Sequence, residues 1–230
     1  MILAMVLSVL VSSVHIPIEK AVTIEKNTLQ QKEDWYDIKV EYPIMTSNEY
    51  GTYASQMNTM FHNKAKEHME GSIQHAEVYR YLAQKRDAPL QYQYTYDITY
   101  NEKPLVSILY THYELSSGPK DFSYHYAKTF HMQEGKELKL DDFFVPSSTF
   151  RTFLTKYVKS ELNKQTDTVY FEQLESRPKF YLDKNDLVLF ALPGDYVPPE
   201  EHAPHIRIPY EQLRPYLKEQ YKSIFLSSMY

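Results

Sequence analysis

From Leu90 to Tyr100 the chain alternates without interruption. Leu90, Tyr92, Tyr94, Tyr96, Ile98 and Tyr100 are separated by Gln91, Gln93, Thr95, Asp97 and Thr99. A period of two over this length is the pattern of a β-strand with one covered face and one wet face. Asn101-Glu102-Lys103-Pro104 turns the chain and Leu105–Leu115 returns. Ser116–Asp121 turns it again into Phe122–Gln133, where Phe122, Tyr124, Tyr126, Phe130 and Met132 share a face. Glu134-Gly135-Lys136 makes the next turn and Glu137–Leu140 pairs back. Sustained alternation over several long strands argues for an antiparallel sheet covered on one face. A two-residue loop at Gly118-Pro119 would set His112 opposite His125, as a pH-sensitive cross-strand pair or as an ordinary solvated one.

Tyrosine supplies much of this pattern: the 230 residues include 22 Tyr, 11 Phe and 1 Trp, but only 5 Gly. Tyr covers large areas at low entropic cost and keeps a polar tip, so the stripe Tyr92–Tyr100 serves either as core or as a contact surface. The glycines stand at 51, 71, 118, 135 and 194, so neither G-x-G-x-x-G nor G-x-x-x-x-G-K-[ST] is present. Dinucleotide enzymes and P-loop NTPases are thereby excluded. The net charge of −5 is mildly acidic and no run collects five cations, so no nucleic-acid footprint exists. Any charged partner is expected to be basic. The chain has no cysteine, and hence no disulfide framework and no thiol chemistry.

The flanking segments complete an α+β plan. Met1–Val14 is uncharged and apolar, shorter than a bilayer span and close to a signal-peptide core. Residues 1–20 are therefore expected to be a signal peptide or a membrane anchor, with a buried strand or helix as the third reading. The rest of the chain would then be secreted or held on the outer face of the cell membrane. Ala21–Gln31 and Trp35–Met45 read as strands. A long helix follows, with Thr46-x-x-Glu49 in the form of a capping box and apolar residues at Tyr50, Tyr53, Ala54, Met57, Met60, Phe61 and Ala65. Its pattern weakens near Gly71 and ends before Pro89. A second helix is expected from Ser147 or Ser148 through Leu162. A hairpin follows over Phe180–Leu182 and Leu187–Leu192, then a strand at His205–Ile208 and a last helix from Pro209 toward Phe225. The expectation is an antiparallel sheet, or sheets, packed against one long and two shorter helices. Two subregions result, β-β-α-β-β over 21–115 and β-β-α-β-β-α over 116–230, which one continuous sheet would join.

Catalytic patterns are weak. Adjacent carboxylates such as Asp141 and Asp142 point to opposite sides of a strand and do not make a glycosidase pair. An envelope hydrolase would need Asp142 to converge with Glu200 or Glu201. His202-x-x-His205 beside Glu200 and Glu201 lacks an identifiable third metal ligand. His62, His68 and His75 do not repeat at three or four residues, so the long helix offers no H-x-x-x-H clamp. No G-x-S-x-G elbow occurs. The expectation is a protein without catalysis, cofactor or metal. The loop Gly194-Asp195-Tyr196-Val197-Pro198-Pro199 reads differently, as an exposed aromatic on a proline-stiffened, preorganised tip.

One ordered set of segments carries a resemblance. It comprises Phe130, Gly135-Lys136, Leu138-Lys139-Leu140-Asp141-Asp142-Phe143-Phe144, the helix Phe150–Leu162, Phe180-Tyr181-Leu182 and Leu187-Val188-Leu189-Phe190. It closes with Ile206-Arg207-Ile208-Pro209-Tyr210-Glu211-Gln212-Leu213. This set resembles the extracytoplasmic domain of the RsiV-like, lysozyme-sensing anti-sigma factors of Gram-positive bacteria. A similar region precedes the catalytic domain of the PdaC peptidoglycan deacetylases. The resemblance implies a non-catalytic extracytoplasmic ligand-binding module of the Gram-positive cell envelope. Its ligand would be an extracellular protein such as a c-type lysozyme; the Tyr-rich strand faces, which could stack on sugar rings, point alternatively to the peptidoglycan glycan. Membrane contact would be confined to the N-terminal segment. The positions matching the ligand-facing segments are Ser117 and Gly118 in one turn, and Asp195, Tyr196, Pro198 and Pro199 in the loop. With about fourteen residues ahead of the domain, a cytoplasmic sigma-binding segment is expected to be missing, as is a deacetylase domain.

Overall fold

A computed structural model describes residues 19–115, 122–146, 148–192, 194–198 and 204–226. The class is α+β. A six-stranded sheet has the order β1-β2-β3-β4-β5-β6, and a separate three-stranded sheet has the order β7-β8-β9. Strands β1 (Thr23–Glu33) and β2 (Tyr36–Thr46) form an antiparallel hairpin. Helices α1 (Gly51–Val78) and α2 (Arg80–Arg86) then carry the chain back, and β3 (Leu90–Glu102) pairs with β2 in parallel. This pairing departs from the all-antiparallel expectation. A helical crossover returns the chain to the edge it started from, so the next strand must run the same way.

Helix α1 is amphipathic. It buries Ala54, Met57, Phe61, Ala65, Met69, Ser72 and Ala76, spaced by three and four residues. It passes through Gly71 unbroken, because one helical glycine costs only about 1 kcal/mol against alanine. The interruption falls at Tyr79, and α2 ends at Asp87 in the left-handed region (φ 53°). The expected capping box is not made, since the helix starts at Gly51, beyond the reach of Thr46. Instead the Tyr50 N–H donates to Ser47 Oγ at 3.1 Å, and Glu49 pairs with Lys103.

Strands β4 (Leu105–Leu115), β5 (Phe122–His131) and β6 (Lys136–Leu138) continue the sheet as an antiparallel meander. Two register details decide which side chains meet. Opposite β4, Ile98 pairs with Ile108 but Tyr100 pairs with Ser107, so Thr99 is an extra residue in β3. Such a bulge turns every later side chain to the other face. Tyr92 therefore packs in the core under α1, whereas Tyr100 packs in the opposite core against Phe225, with ring centroids 6.1 Å apart. The tyrosine stripe is thus divided between two faces. Across β4 and β5, His112 pairs with Tyr124 and Thr111 with His125. The two histidines consequently lie on opposite faces rather than side by side. The turn at residues 116–121 lies outside the described residues.

The sheet crosses the boundary between the two sequence subregions, because β5 pairs onto β4 and β6 onto β5. The rest of the chain covers its other face. A 3-10 turn (Leu140–Phe143) leads to α3 (Phe150–Gln165), then β7 (Lys179–Leu182), β8 (Asp186–Phe190) and β9 (His205–Pro209). The single last helix expected from the sequence is two pieces, α4 (Tyr210–Leu213) and α5 (Glu219–Leu226). Pro215 stands between them and cannot donate to a continuing helix. The two sheets are pinned by polar contacts inside the core. The Leu182 N–H donates to Ser107 Oγ at 3.0 Å, and that hydroxyl lies 2.8 Å from Thr129 Oγ1. The six-stranded sheet is therefore covered by α1 on one face and by the second sheet with its helices on the other.

Candidate functional site

Within the described residues, the aromatic of the expected binding loop is part of the core. Tyr196 and Val197 are buried at 4% and 3% exposure, so the expectation of an exposed aromatic tip is corrected. The Tyr196 ring packs edge-on against Phe171 at 4.8 Å, and its carbonyl accepts the Tyr170 N–H at 2.9 Å. Burial raises its hydroxyl pKa to about 12. The proline-stiffened loop closes inward because its two apolar residues have core to join, and the adjacent Gly194 (φ 86°) supplies the reversal. Asp195 stays exposed, accepting the Leu192 N–H at 3.0 Å and pairing with Lys179 at 3.3 Å. Pro198 is half-buried. Ser117, Gly118 and Pro199 lie outside the described residues, as do Ser147, Glu200, Glu201 and His202.

The acidic pair is likewise committed. Asp141 receives Arg151 through both carboxylate oxygens, at 3.0 and 2.6 Å. Asp142 Oδ2 accepts the Lys139 N–H at 2.8 Å, closing the 3-10 turn. His205 and His125 meet edge to face at 5.5 Å on the far side of the sheet. His205 Nδ1 lies 3.2 Å from the Tyr181 hydroxyl and His125 Nδ1 lies 3.0 Å from Thr111 Oγ1. Among the described residues no group of three or more His, Asp or Glu side chains is arranged to hold a metal. None of the described helices is long and apolar enough to cross a membrane.

The feature that sequence reasoning missed is a cleft. Helix α1 packs most closely on β2, and a cleft opens between it and part of the β3–β5 face of the same sheet. The resulting space is about 620 Å³, within the usual range for ligand pockets. Its helical wall includes Met60, Lys64 and His68. Its sheet wall includes Tyr94, Tyr110 and Tyr126. Tyr110 and Tyr126 stack almost parallel at 4.6 Å, and the buried Tyr110 hydroxyl has no hydrogen-bond partner among the described residues.

A column of alternating imidazole and phenol rings borders the cleft. His68 stacks on Tyr94 at 4.3 Å, and Tyr94 stacks on His112 at 4.1 Å. The Tyr94 hydroxyl lies 3.1 Å from Ser72 Oγ, and His75 Nδ1 lies 2.9 Å from the Tyr92 hydroxyl. His112 is 7% exposed, and neither ring nitrogen finds a hydrogen-bond partner among the described residues; Glu114 stands 3.9 Å away. The sequence carries a signal for this column. His68 and His75 are seven residues apart, which places them on one face of a helix over two turns. Their partners lie at alternate positions of β3 and β4.

Burial lowers the pKa of two of these imidazoles, His68 and His112. The His68 pKa falls from the ordinary 6.5 to about 4, chiefly through desolvation, with Lys64 and His112 adding repulsion and Glu67 opposing. His112 is lowered by burial and by His75 against the pull of Glu114. Because the folded pKa of His68 lies below its unfolded value, the unfolded chain takes up a proton first as pH falls. The stability contributed is full above about pH 6.5 and is lost progressively toward about pH 4. Solvent screening at this partly exposed ring limits the effect to about 1–2 kcal/mol. A His68→Gln variant is expected to flatten this part of the pH–stability curve, as measured by urea unfolding at intervals from pH 7 to pH 4. An unchanged slope would show that the ring titrates normally in the folded state.

By sequence, the chain matches no protein-family model and no curated protein. Its shape is informative. A crystal structure of a DUF3298 family member from Bacteroides fragilis superposes with a TM-score of 0.64 at 16% identity, covering 90% of this chain and 98% of that one. A DUF3298 family protein from Pseudomonas aeruginosa gives 0.55 at 14% identity, covering 89% and 96%. The fold is the one seen in DUF3298 proteins. Both comparisons take in nearly the whole of the other chain, so the DUF3298 fold accounts for both sheets and the helices that cover them. At these identities the likeness concerns the fold and transfers no ligand.

Proposed function

We propose that this chain is a non-catalytic, extracytoplasmic ligand-binding module of the Gram-positive cell envelope, with the cleft between α1 and β3–β5 as its binding surface. The supporting observation is that cleft: a preformed space of about 620 Å³ whose wall includes Tyr94, Tyr110, Tyr126 and His68. Aromatic walls with a few polar tips are the usual make-up of a recognition pocket. The DUF3298 fold is consistent with the domain type implied by the RsiV-like resemblance, which in turn supplies the extracytoplasmic placement.

Of the two ligand classes implied by the sequence, the wall glycan is favoured over a c-type lysozyme. The loop aromatic meant to meet a protein ligand, Tyr196, points into the core, whereas the tyrosines of β3–β5 line an open cleft. Sedimentation with purified peptidoglycan, run beside pull-down on immobilised c-type lysozyme, separates the two. Retention by peptidoglycan is expected. Capture by lysozyme without retention on the wall polymer would reverse the order.

A further inference from the structure

Each charged Lys and Glu of the cleft wall already has an ion-pair partner. Lys64 pairs with Glu67 at 2.8 Å, Lys128 with Glu137 at 2.6 Å, and Glu41 with Lys26 and Lys39, both at 2.7 Å. These pairs account for every Lys and Glu in the cleft wall. A charged ligand would have to displace a partner already in place, so the site offers little attraction to an ion.

The neutral groups are arranged on two sides. Along α1 the exposed side chains Gln56, Thr59 and Asn63 follow one another at three and four residues, which places them in one row about 10 Å long. The Gln56 and Asn63 carboxamides both donate and accept, and the Thr59 hydroxyl, which donates to the Ser55 carbonyl at 3.2 Å, can still accept. Across the cleft stands an aromatic wall. Both faces of Tyr94 are occupied by His68 and His112, so its ring is not a stacking platform. Tyr126 differs: Tyr110 covers one face, and the half-buried ring lines the cleft. The Tyr110 hydroxyl, in a side chain 8% exposed, is a buried polar atom without a partner in the same wall. Such an atom in a native structure calls for a partner the protein itself does not supply.

One ligand chemistry uses both sides. A pyranose ring has a C–H face that packs on an aromatic ring and a rim of hydroxyls that both donate and accept. We propose that the cleft takes an uncharged saccharide about two rings long, packed against Tyr126, with its hydroxyl and amide groups toward Gln56, Thr59 and Asn63. This rests on the reading of the cleft as the binding surface and adds the class and orientation of the ligand. A purely apolar ligand would not use the polar row, and an ionic one would compete with ion pairs already in place.

The test is titration of the full chain with N,N′-diacetylchitobiose and N,N′,N″-triacetylchitotriose, with a uronic-acid disaccharide and c-type lysozyme as comparators. Backbone amide shifts locate binding, and calorimetry measures it. The neutral sugars are expected to shift amides around Asn63, Tyr94 and Tyr126, with affinity changing less than about twofold between low and high salt. Tyr126→Ala should weaken binding about tenfold, while Tyr126→Phe, which keeps the ring, stays within about threefold. Asn63→Ala, at an exposed position that leaves the core intact, should weaken it about threefold. Binding at these residues by the charged disaccharide or lysozyme alone would overturn the uncharged-saccharide class and leave the cleft as the binding surface. Absence of shifts there with every ligand would overturn both.

Discussion

Replacing Tyr196 by alanine is expected to lower the stability of the folded chain by about 3 kcal/mol and to leave saccharide binding unchanged at temperatures where the variant is folded. The ring is 4% exposed, packs edge-on against Phe171 and belongs to the core that also holds Leu174 and Ile206. Truncation removes the transfer energy of the ring and leaves a cavity that a proline-bounded loop cannot easily fill. Tyr196→Phe keeps the packing and should cost no more than about 1 kcal/mol. Urea unfolding of the three proteins, followed by titration with the neutral sugar, checks both statements. Wild-type stability combined with lost binding in Tyr196→Ala would return the loop to the ligand-facing role implied by its sequence.

A larger loss, about 4 kcal/mol, is expected for Phe143→Ala. Phe143 is fully buried, and its ring contacts Tyr221 at 4.8 Å, Phe180 at 5.8 Å and Phe225 at 5.9 Å. It therefore joins the 3-10 turn, the second sheet and the C-terminal helix in one aromatic cluster. Its carbonyl also accepts the Lys218 N–H at 2.9 Å, tying the turn to the segment ahead of α5. Phe143→Leu fills much of the same space and should cost about 1–2 kcal/mol. The unfolding midpoints of the two variants give the comparison. Equal midpoints for Phe143→Ala and wild type would contradict the packing described.

The position of Phe143 shows how local sequence and tertiary context divide the explanation. The adjacent carboxylates of Asp141-Asp142-Phe143-Phe144 are not disposed as a catalytic pair, and in the fold Asp142 closes its own turn while Asp141 is held by Arg151 from α3. The first contact is only three residues long in sequence and was open to inference. The second needs α3 to be docked first. The histidines of α1 illustrate the same division. Their shared helix face follows from a separation of seven residues, but their stacking on Tyr94 requires β3 and β4 to lie beneath that helix.

What the amino-acid sequence determined by itself was local. The period of two in β3 to β5, the three-and-four spacing in α1 and α3, and the turn around Asp183-Lys184-Asn185-Asp186 each depend on neighbours within one or two turns of chain. That was enough for the α+β class and for most strand and helix positions. Tertiary structure decided which face each residue took. One extra residue at Thr99 moved Tyr100 to the opposite core, and a one-residue difference in hairpin register separated His125 from His112. Alternation specifies that a strand has two faces but does not count residues across a bulge or a turn. The cleft belongs to the same category. It exists because α1 packs toward β2 and leaves the tyrosines of β3 to β5 beside it, and that choice is made by packing between distant segments rather than by any one of them.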